Sequence, residues 1–174
     1  MRIPGLQNAQ RVELASACLA LVDAGMAVND SAFVMKVTSL LGDGLVNVWL
    51  FGGWAEELQG IVPARAHRDV DLLHPADDFA RVDALLRTEP ALTEIVAKRF
   101  DHKRAFVLDG VMVELLLVRS DPDGYYTDLA GGVRHRWPSD VFDERQIGLR
   151  VASVNALVGY RRMVERRARG SEPA

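Results

Sequence analysis

The sequence predicts an α/β (α+β) protein, a mixed β-sheet flanked by helices, with two additional helices at its N-terminus. Three observations lead there. Runs with helical periodicity open the chain and recur between strand-like runs. A short β-branched and aromatic run enters a Gly-Gly pair and then a helix-prone stretch, and two later apolar runs meet at Asp109-Gly110, the two-residue hairpin signal.

In chain order, Val12, Ala15, Leu19 and Val22 recur at helical spacing from Asn8 to Ala24, with Gly25 able to stop that helix. Asp30 or Ser31 can cap a second helix whose stripe is Phe33, Val34, Val37, Leu40 and Leu41. Val46 to Phe51 reads as a strand, Gly52-Gly53 as a turn, and the segment from Trp54 as a helix. His67 to Leu73 reads as a second strand, and Pro75 to Arg87 as a helix with Phe79, Val82, Leu85 and Leu86 inward. Glu94–Phe100, Arg104–Leu108 and Val111–Val118 are the next expected strands, an antiparallel meander. A loop from Ser120 to Gly132 follows, and a last helix starts near Val154 with Ser153 as N-cap. One unit is expected over residues 1–174, with N-terminal helices in 1–45, a core in 46–118 and a loop and C-terminal helix in 119–174.

The formal net charge of -3 gives no global positive field, so general binding to nucleic acid or anionic lipid is not expected. Cys18 is the sole cysteine and cannot close an intramolecular disulfide, which suits the cytoplasm. Glu13 and Asp23 interrupt the first apolar run, so neither a signal peptide nor a membrane anchor is expected there.

Within this frame the informative stretch is "HRDVDLL". Side chains alternate along a strand, so Asp69 and Asp71 project together while Val70 and Leu72 go to the opposite face. Two carboxylates held close repel, and the remedies are a raised pKa or a bound cation, for which hard oxygen ligands suit Mg²⁺. Asp-x-Asp alone is common, and Asp121-Pro122-Asp123 is explained by a turn. Glu114 adds context, because an ionised carboxylate amid the apolar neighbours of "VMVELLLV" needs a partner. That partner is a metal shared with Asp69 and Asp71, a buried ion pair with Arg104, Lys103 or another basic residue, or water at a sheet edge. Gly52 and Gly53 lead into a helix N-terminus, where a phosphate can approach bare amides; an unliganded tight turn is the other explanation. The pattern is neither a Walker loop nor a dinucleotide fingerprint.

Gly52, Gly53, Trp54 and Ala55, followed by Arg65, His67, Asp69, Val70, Asp71 and Leu72, resemble the signature of the DNA polymerase β-like nucleotidyltransferases. The resemblance is to the small enzymes that modify aminoglycoside and lincosamide antibiotics. It implies a nucleotidyltransferase fold with the catalytic core in residues 46–118. The implied activity is transfer of a nucleoside monophosphate from a Mg²⁺-bound triphosphate, ATP in the first instance, to a hydroxyl of a small acceptor.

The resemblance further implies that Asp69, Asp71 and Glu114 bind one or two Mg²⁺ and carry catalysis, with Glu114 as general base, and that Gly52 and Gly53 hold phosphates. Arg65 either pairs with phosphate or is an ordinary loop residue, and His67 either orients an aspartate or touches phosphate, or makes an ordinary hydrogen bond. Relatives usually carry aspartate where Glu57 stands, and often where Glu114 stands. The reading requires Glu114 to face the pair rather than lie behind the sheet or in the grip of an arginine. Two alternatives stay open: an antitoxin-like nucleotidyltransferase that modifies a protein or RNA partner, and a catalytically silent nucleotide-binding protein.

Elsewhere the expectations are plainer. Asp121, Asp123, Tyr125, Tyr126 and Asp128 suit either a polycationic sugar or an ordinary polar loop. Arg161, Arg162, Arg166, Arg167 and Arg169 read as a solvated helix face, with RNA or triphosphate contact the lesser alternative, His102 and His135 as surface, and Trp54 as core rather than a base-stacking platform.

Overall fold

Strand β2 (Asp69–Pro75) carries the aspartate pair and lies inside the sheet, between β1 (Trp49–Phe51), which is antiparallel to it, and β5 (Val111–Asp121), which is parallel. The structure is a computed structural model and describes residues 29–146 and 148–170. The expected helix over Asn8–Ala24, and Cys18 with it, lie outside the described residues.

β3 (Thr93–Glu94), β4 (Lys103–Leu108), β6 (Gly124–Leu129), β7 (Val133–Arg136), β8 (Glu144–Gln146) and β9 (Leu149–Val151) complete a nine-stranded mixed sheet. Its order is β3-β4-β5-β2-β1-β9-β8, and β6 and β7 extend the far end of β5 as a hairpin. The helices are α1 (Ser31–Asp43), α2 (Gly52–Leu58), α3 (Ala80–Thr88) and α4 (Val154–Gly170). Among the described residues no helix is long and apolar enough to cross a membrane.

Alternation makes β2 and β5 two-faced. Val70, Leu72, Val113, Leu115 and Leu117 are buried, and each such side chain contributes roughly 1.5–3 kcal/mol on burial. α3 covers that face: Phe79 stacks on His74 at 6.0 Å, and Asp83 accepts from Arg104 Nε at 2.7 Å. The end of α1 meets α3, where a side chain at Gly44 would strike Leu85. Asp30 caps α1 by accepting from the Phe33 amide at 2.8 Å. Ser153 caps α4 through the Ala156 amide at 3.2 Å. Asp109 and Gly110 both take positive φ, 49° and 79°, as a type I′ hairpin requires.

Four expectations need correction. β1 covers only the last three residues of the expected strand over Val46–Phe51. Its parallel pairing with β9, Leu50 against Val151, comes from a part of the chain roughly a hundred residues away. The expected strand Glu94–Phe100 is instead the end of β3 and a 3-10 turn over Val96–Lys98, in keeping with the exposure of Val96 and Phe100. The helix starts at Gly52 itself rather than after a Gly-Gly turn. The expected loop over Ser120–Gly132 is largely β6, where Thr127 is buried, donates to the Leu117 carbonyl at 2.7 Å and accepts from Trp137 Nε1 at 2.9 Å. Tyr, Thr and Leu in alternation suit a strand, and the acidic and glycine residues around them mask it.

His74 gives the fold a pH dependence. The ring is 3% exposed, its Nδ1–H donates to the Asn47 carbonyl at 2.7 Å, and burial holds its pKa below the usual 6.5. A base kept neutral by folding stabilises fully above its unfolded pKa and loses that contribution as pH falls from about 6.5 towards the folded value. The wild-type melting temperature is expected to drop more steeply between pH 7 and 5.5 than that of His74→Asn. The difference in slope reflects the proton that the unfolded chain takes up at His74 in this range and the folded ring does not.

Candidate active site

The β2·β5 register sets Asp71 directly beside Glu114, and Asp69 beside Met112. Alternation and register together put Asp69, Asp71 and Glu114 on one side of the sheet. Arg104 goes to the other side with Asp83, so no arginine grips Glu114. Lysines do: Lys98 Nζ lies 2.5 Å from Oε1 and Lys103 Nζ 2.6 Å from Oε2. Lys103 opposes Leu116 in the β4·β5 pairing and so shares the face of Glu114, and Lys98 arrives from the 3-10 turn. As they stand, the three acids form an aspartate pair with a lysine-held glutamate beside it. Among the described residues no three or more His, Cys, Asp or Glu side chains gather as a metal cage.

The electrostatics divide the two acids in register. Burial, and then the charges of Asp69 and Glu114, push the Asp71 carboxyl up to about 7. Burial also works against ionisation of Glu114, but hydrogen bonds and charge from Lys103 and Lys98 outweigh it and hold that carboxyl below its ordinary range. Asp71 is thus an anion only at a cost that a cation would remove, and the Asp69–Asp71 oxygens are hard donors. These residues fit Mg²⁺.

The glycines are explained by what stands over them. Gly52 has φ +61°, and a Cβ built on it would fall 2.2 Å from Asp71 Oδ2. At Gly53 a Cβ would meet His67 Nδ1 at 2.9 Å and Arg65 Nη2 at 3.2 Å. One glycine makes room for the aspartate, and the next for the histidine and arginine of the same motif. The four residues expected to hold phosphate, Gly52, Gly53, Arg65 and His67, are therefore neighbours in space.

His67 is fixed on two sides. Its Nε2 lies 2.9 Å from Glu57 Oε2, and its ring packs against Trp54 at 4.3 Å with the planes tilted by 33°. The same Glu57 oxygen accepts the Arg65 amide at 3.1 Å. The hydrogen bond from His67 and that amide lower the Glu57 pKa. Asn29 locks the assembly: it accepts from Trp54 Nε1 at 3.1 Å and donates to the carbonyls of His67 and Asp69 at 3.1 and 3.0 Å. Trp54 is half-buried against the core as well as in contact with the His67 ring.

A cleft of about 280 Å³ opens over this face, lined by Gly52, Glu56, Asp71, Lys103, Glu114, Tyr160 and Arg161 among others. Arg161 corrects the solvated-helix expectation: its Nη2 pairs with Glu56 at 2.5 Å, and Arg65 approaches the same carboxylate at 3.7 Å. Tyr160 stacks on Trp137 at 5.4 Å and meets Phe51 edge-on, and burial raises its pKa. Neither histidine expected at the surface is fully there. His102 is half-buried and stacks on Phe100, and His135 lies edge-on to Trp137 and Tyr160 with its Nε2 buried and unbonded. In the hairpin, Arg136 and Arg134 grip Asp121 and Asp128 with two hydrogen bonds each, which leaves the acids little to offer a cation.

Lys98, Glu56, Tyr160 and Asn29 were not singled out by sequence. Each meets the site through contacts far along the chain, with no local pattern to mark it.

The mixed sheet, with an aspartate pair on a central strand, a glycine-led helix beside it and an acid in register on the next strand, matches the nucleotidyltransferase fold. The model of the aminoglycoside-2''-adenylyltransferase family matches residues 33–158, more than half the chain, and the chain belongs to that family. No curated protein matches.

Among solved structures, the solution structure of the antibiotic-resistance factor ANT(2'')-Ia is similar with a TM-score of 0.59 at 15% identity, over 86% of this chain and 79% of that one. Its crystal structure in complex with adenylyl-2''-tobramycin gives 0.56 at 15%, over 82% and 80%. The lincomycin-bound lincosamide antibiotic adenylyltransferase LnuA gives 0.59 at 18%, over 74% and 84%. At such identities the likeness concerns the fold.

Proposed function

We propose that this protein is a Mg²⁺-dependent nucleotidyltransferase that moves a nucleoside monophosphate, AMP from ATP in the first instance, to a hydroxyl of a small acceptor. The observation that carries this is the pinning of Asp71 between Gly52 and Glu114. It sets the carboxylate, the helix N-terminus and a lysine-held acid around one cleft. Asp69 and Asp71 would hold the metal, which when bound neutralises triphosphate charge and acidifies the acceptor hydroxyl. Gly52 and Gly53 leave room for phosphate at the start of α2, and Arg65 and Arg161 supply guanidinium groups beside it.

The acceptor oxygen attacks the α-phosphorus as the bond from that phosphorus to the bridging oxygen breaks, so that pyrophosphate leaves. The hydroxyl proton passes to Glu114. Lysine contacts make Glu114 a weak base, so the hydroxyl must be acidified before it gives up its proton.

Incubation with ATP, Mg²⁺ and a panel of aminoglycosides and lincosamides tests this, with pyrophosphate release as the readout and Asp71→Asn as the control. Release is expected only with Mg²⁺ and only in the wild type. Nucleotide binding without pyrophosphate release, either with this panel or with neutral and anionic hydroxyl compounds added to it, would overturn it in favour of a silent binder.

A further inference from the structure

We infer that the acceptor carries neutral or anionic groups beside its reacting hydroxyl, rather than amines, and that Lys98 and Lys103 impose this choice. The inference rests on the function just proposed and concerns its second substrate. A pocket that grips a polyamine needs carboxylates with charge to spare. Here, of the three cleft carboxylates outside the metal pair, Glu114 and Glu56 are each met by two cations, and Glu165 by one.

Glu114 has Lys98 on one oxygen at 2.5 Å and Lys103 on the other at 2.6 Å. Glu56 has Arg161 at 2.5 Å and Arg65 at 3.7 Å. Four fixed positive charges therefore face two negative ones. At the rim, Glu165 is exposed and has Arg169 at 4.0 Å. The hairpin that sequence offered as an amine-binding loop does not make up the deficit. Asp121 and Asp128 are taken by Arg136 and Arg134, and Asp123, 85% exposed, has Arg136 at 3.7 Å. An ammonium approaching Glu114 would be repelled by the two ammonium groups already on its oxygens. A neutral hydroxyl compound meets no such barrier, and an anionic one finds a surplus lysine.

Calorimetric titration of tobramycin, a polyamine sugar, and lincomycin, which carries a single amine, tests this in the presence of Mg²⁺ and a non-hydrolysable ATP analogue. Wild type, Lys98→Gln and Lys98→Gln/Lys103→Gln are compared. Tobramycin is expected to bind wild type only weakly, and to tighten about tenfold for each lysine removed, while lincomycin changes several-fold less. Micromolar tobramycin binding to wild type, or an affinity indifferent to the lysines, would overturn the inference.

Lys98→Gln keeps Lys103 on Glu114, so this variant preserves the test if the double variant unfolds. Binding of the Mg²⁺-nucleotide, followed in the same samples, separates the two ideas. Its absence counts against nucleotidyl transfer, whereas nucleotide binding with tight tobramycin binding sinks only the acceptor class.

Discussion

Asp71→Asn is expected to stabilise the metal-free protein at pH 8 while reducing nucleotidyl transfer by roughly a thousandfold or more. Folding raises the Asp71 carboxyl from 3.8 to about 7, chiefly through burial and then through Asp69 and Glu114. A carboxyl with a raised folded pKa favours the fold fully below pH 3.8, and that contribution is lost as pH rises through about 7. Above that pH the wild type carries an anion that the fold disfavours, by on the order of a few kcal/mol, and asparagine does not.

Thermal melts without metal should therefore place Asp71→Asn above wild type at pH 8, with the gap closing as pH falls towards 4. Mg²⁺ should raise the wild-type midpoint and leave the variant nearly unmoved, since a ligand stabilises only the form it binds. A variant that melts below wild type at pH 8 without metal would show that Asp71 is not a strained anion. The preference for a cation at this site would then lose its physical basis.

How much of this was legible in the sequence depends on the range of the interaction involved. Strand alternation put Asp69 and Asp71 on one face without reference to any other residue. The Asp109-Gly110 hairpin and the Asp30 and Ser153 caps are likewise local, and the structure has them. Glu114 was legible as an acid in need of a partner, but not its register with Asp71, because parallel pairing joins segments that no turn connects. Lys103 was named beside Arg104 as a possible ion-pair partner, and it is Lys103 that pairs with Glu114. Lys98 was not, since it reaches Glu114 only because the expected strand there coils into a 3-10 turn. β6 hid behind its acids and glycine, whose roles belong to the turn and to cross-strand pairing with Arg134 and Arg136. Arg161 shows the general limit. A helix arginine looks solvated until the opposing Glu56 is placed by another part of the chain.

Gly52→Ala should be the most damaging single-methyl change in the described structure, and two controls separate its causes. At φ +61° any L side chain is strained, at a cost of roughly 1–2 kcal/mol. Gly60 is equally left-handed, at φ +69°, with nothing within 4 Å of a built Cβ, so Gly60→Ala measures the backbone cost alone. Gly52→Ala adds a collision, because its methyl would lie 2.2 Å from Asp71 Oδ2 and 2.9 Å from Asp71 Cβ. Either the carboxylate leaves the cleft or the start of α2 moves away from β2, and both disperse the site. Activity is expected to fall at least a hundredfold, with a stability loss exceeding that of Gly60→Ala by about 1–3 kcal/mol.

The collision has a single partner, so it should show as coupling. Combined with Asp71→Gly, which removes all three offending atoms, Oδ2, Cβ and Cγ, Gly52→Ala should cost little more than Gly60→Ala. Gly53→Ala lies between, because its methyl meets the end of the Arg65 side chain, which can shift, and the ring of His67, which Glu57 and Trp54 hold, and weakened nucleotide binding rather than unfolding is the expected readout. Equal losses for Gly52→Ala and Gly60→Ala in denaturant titrations would mean that Asp71 has room to retreat. The first glycine of the motif would then serve its turn and the phosphate alone, not the placement of the aspartate.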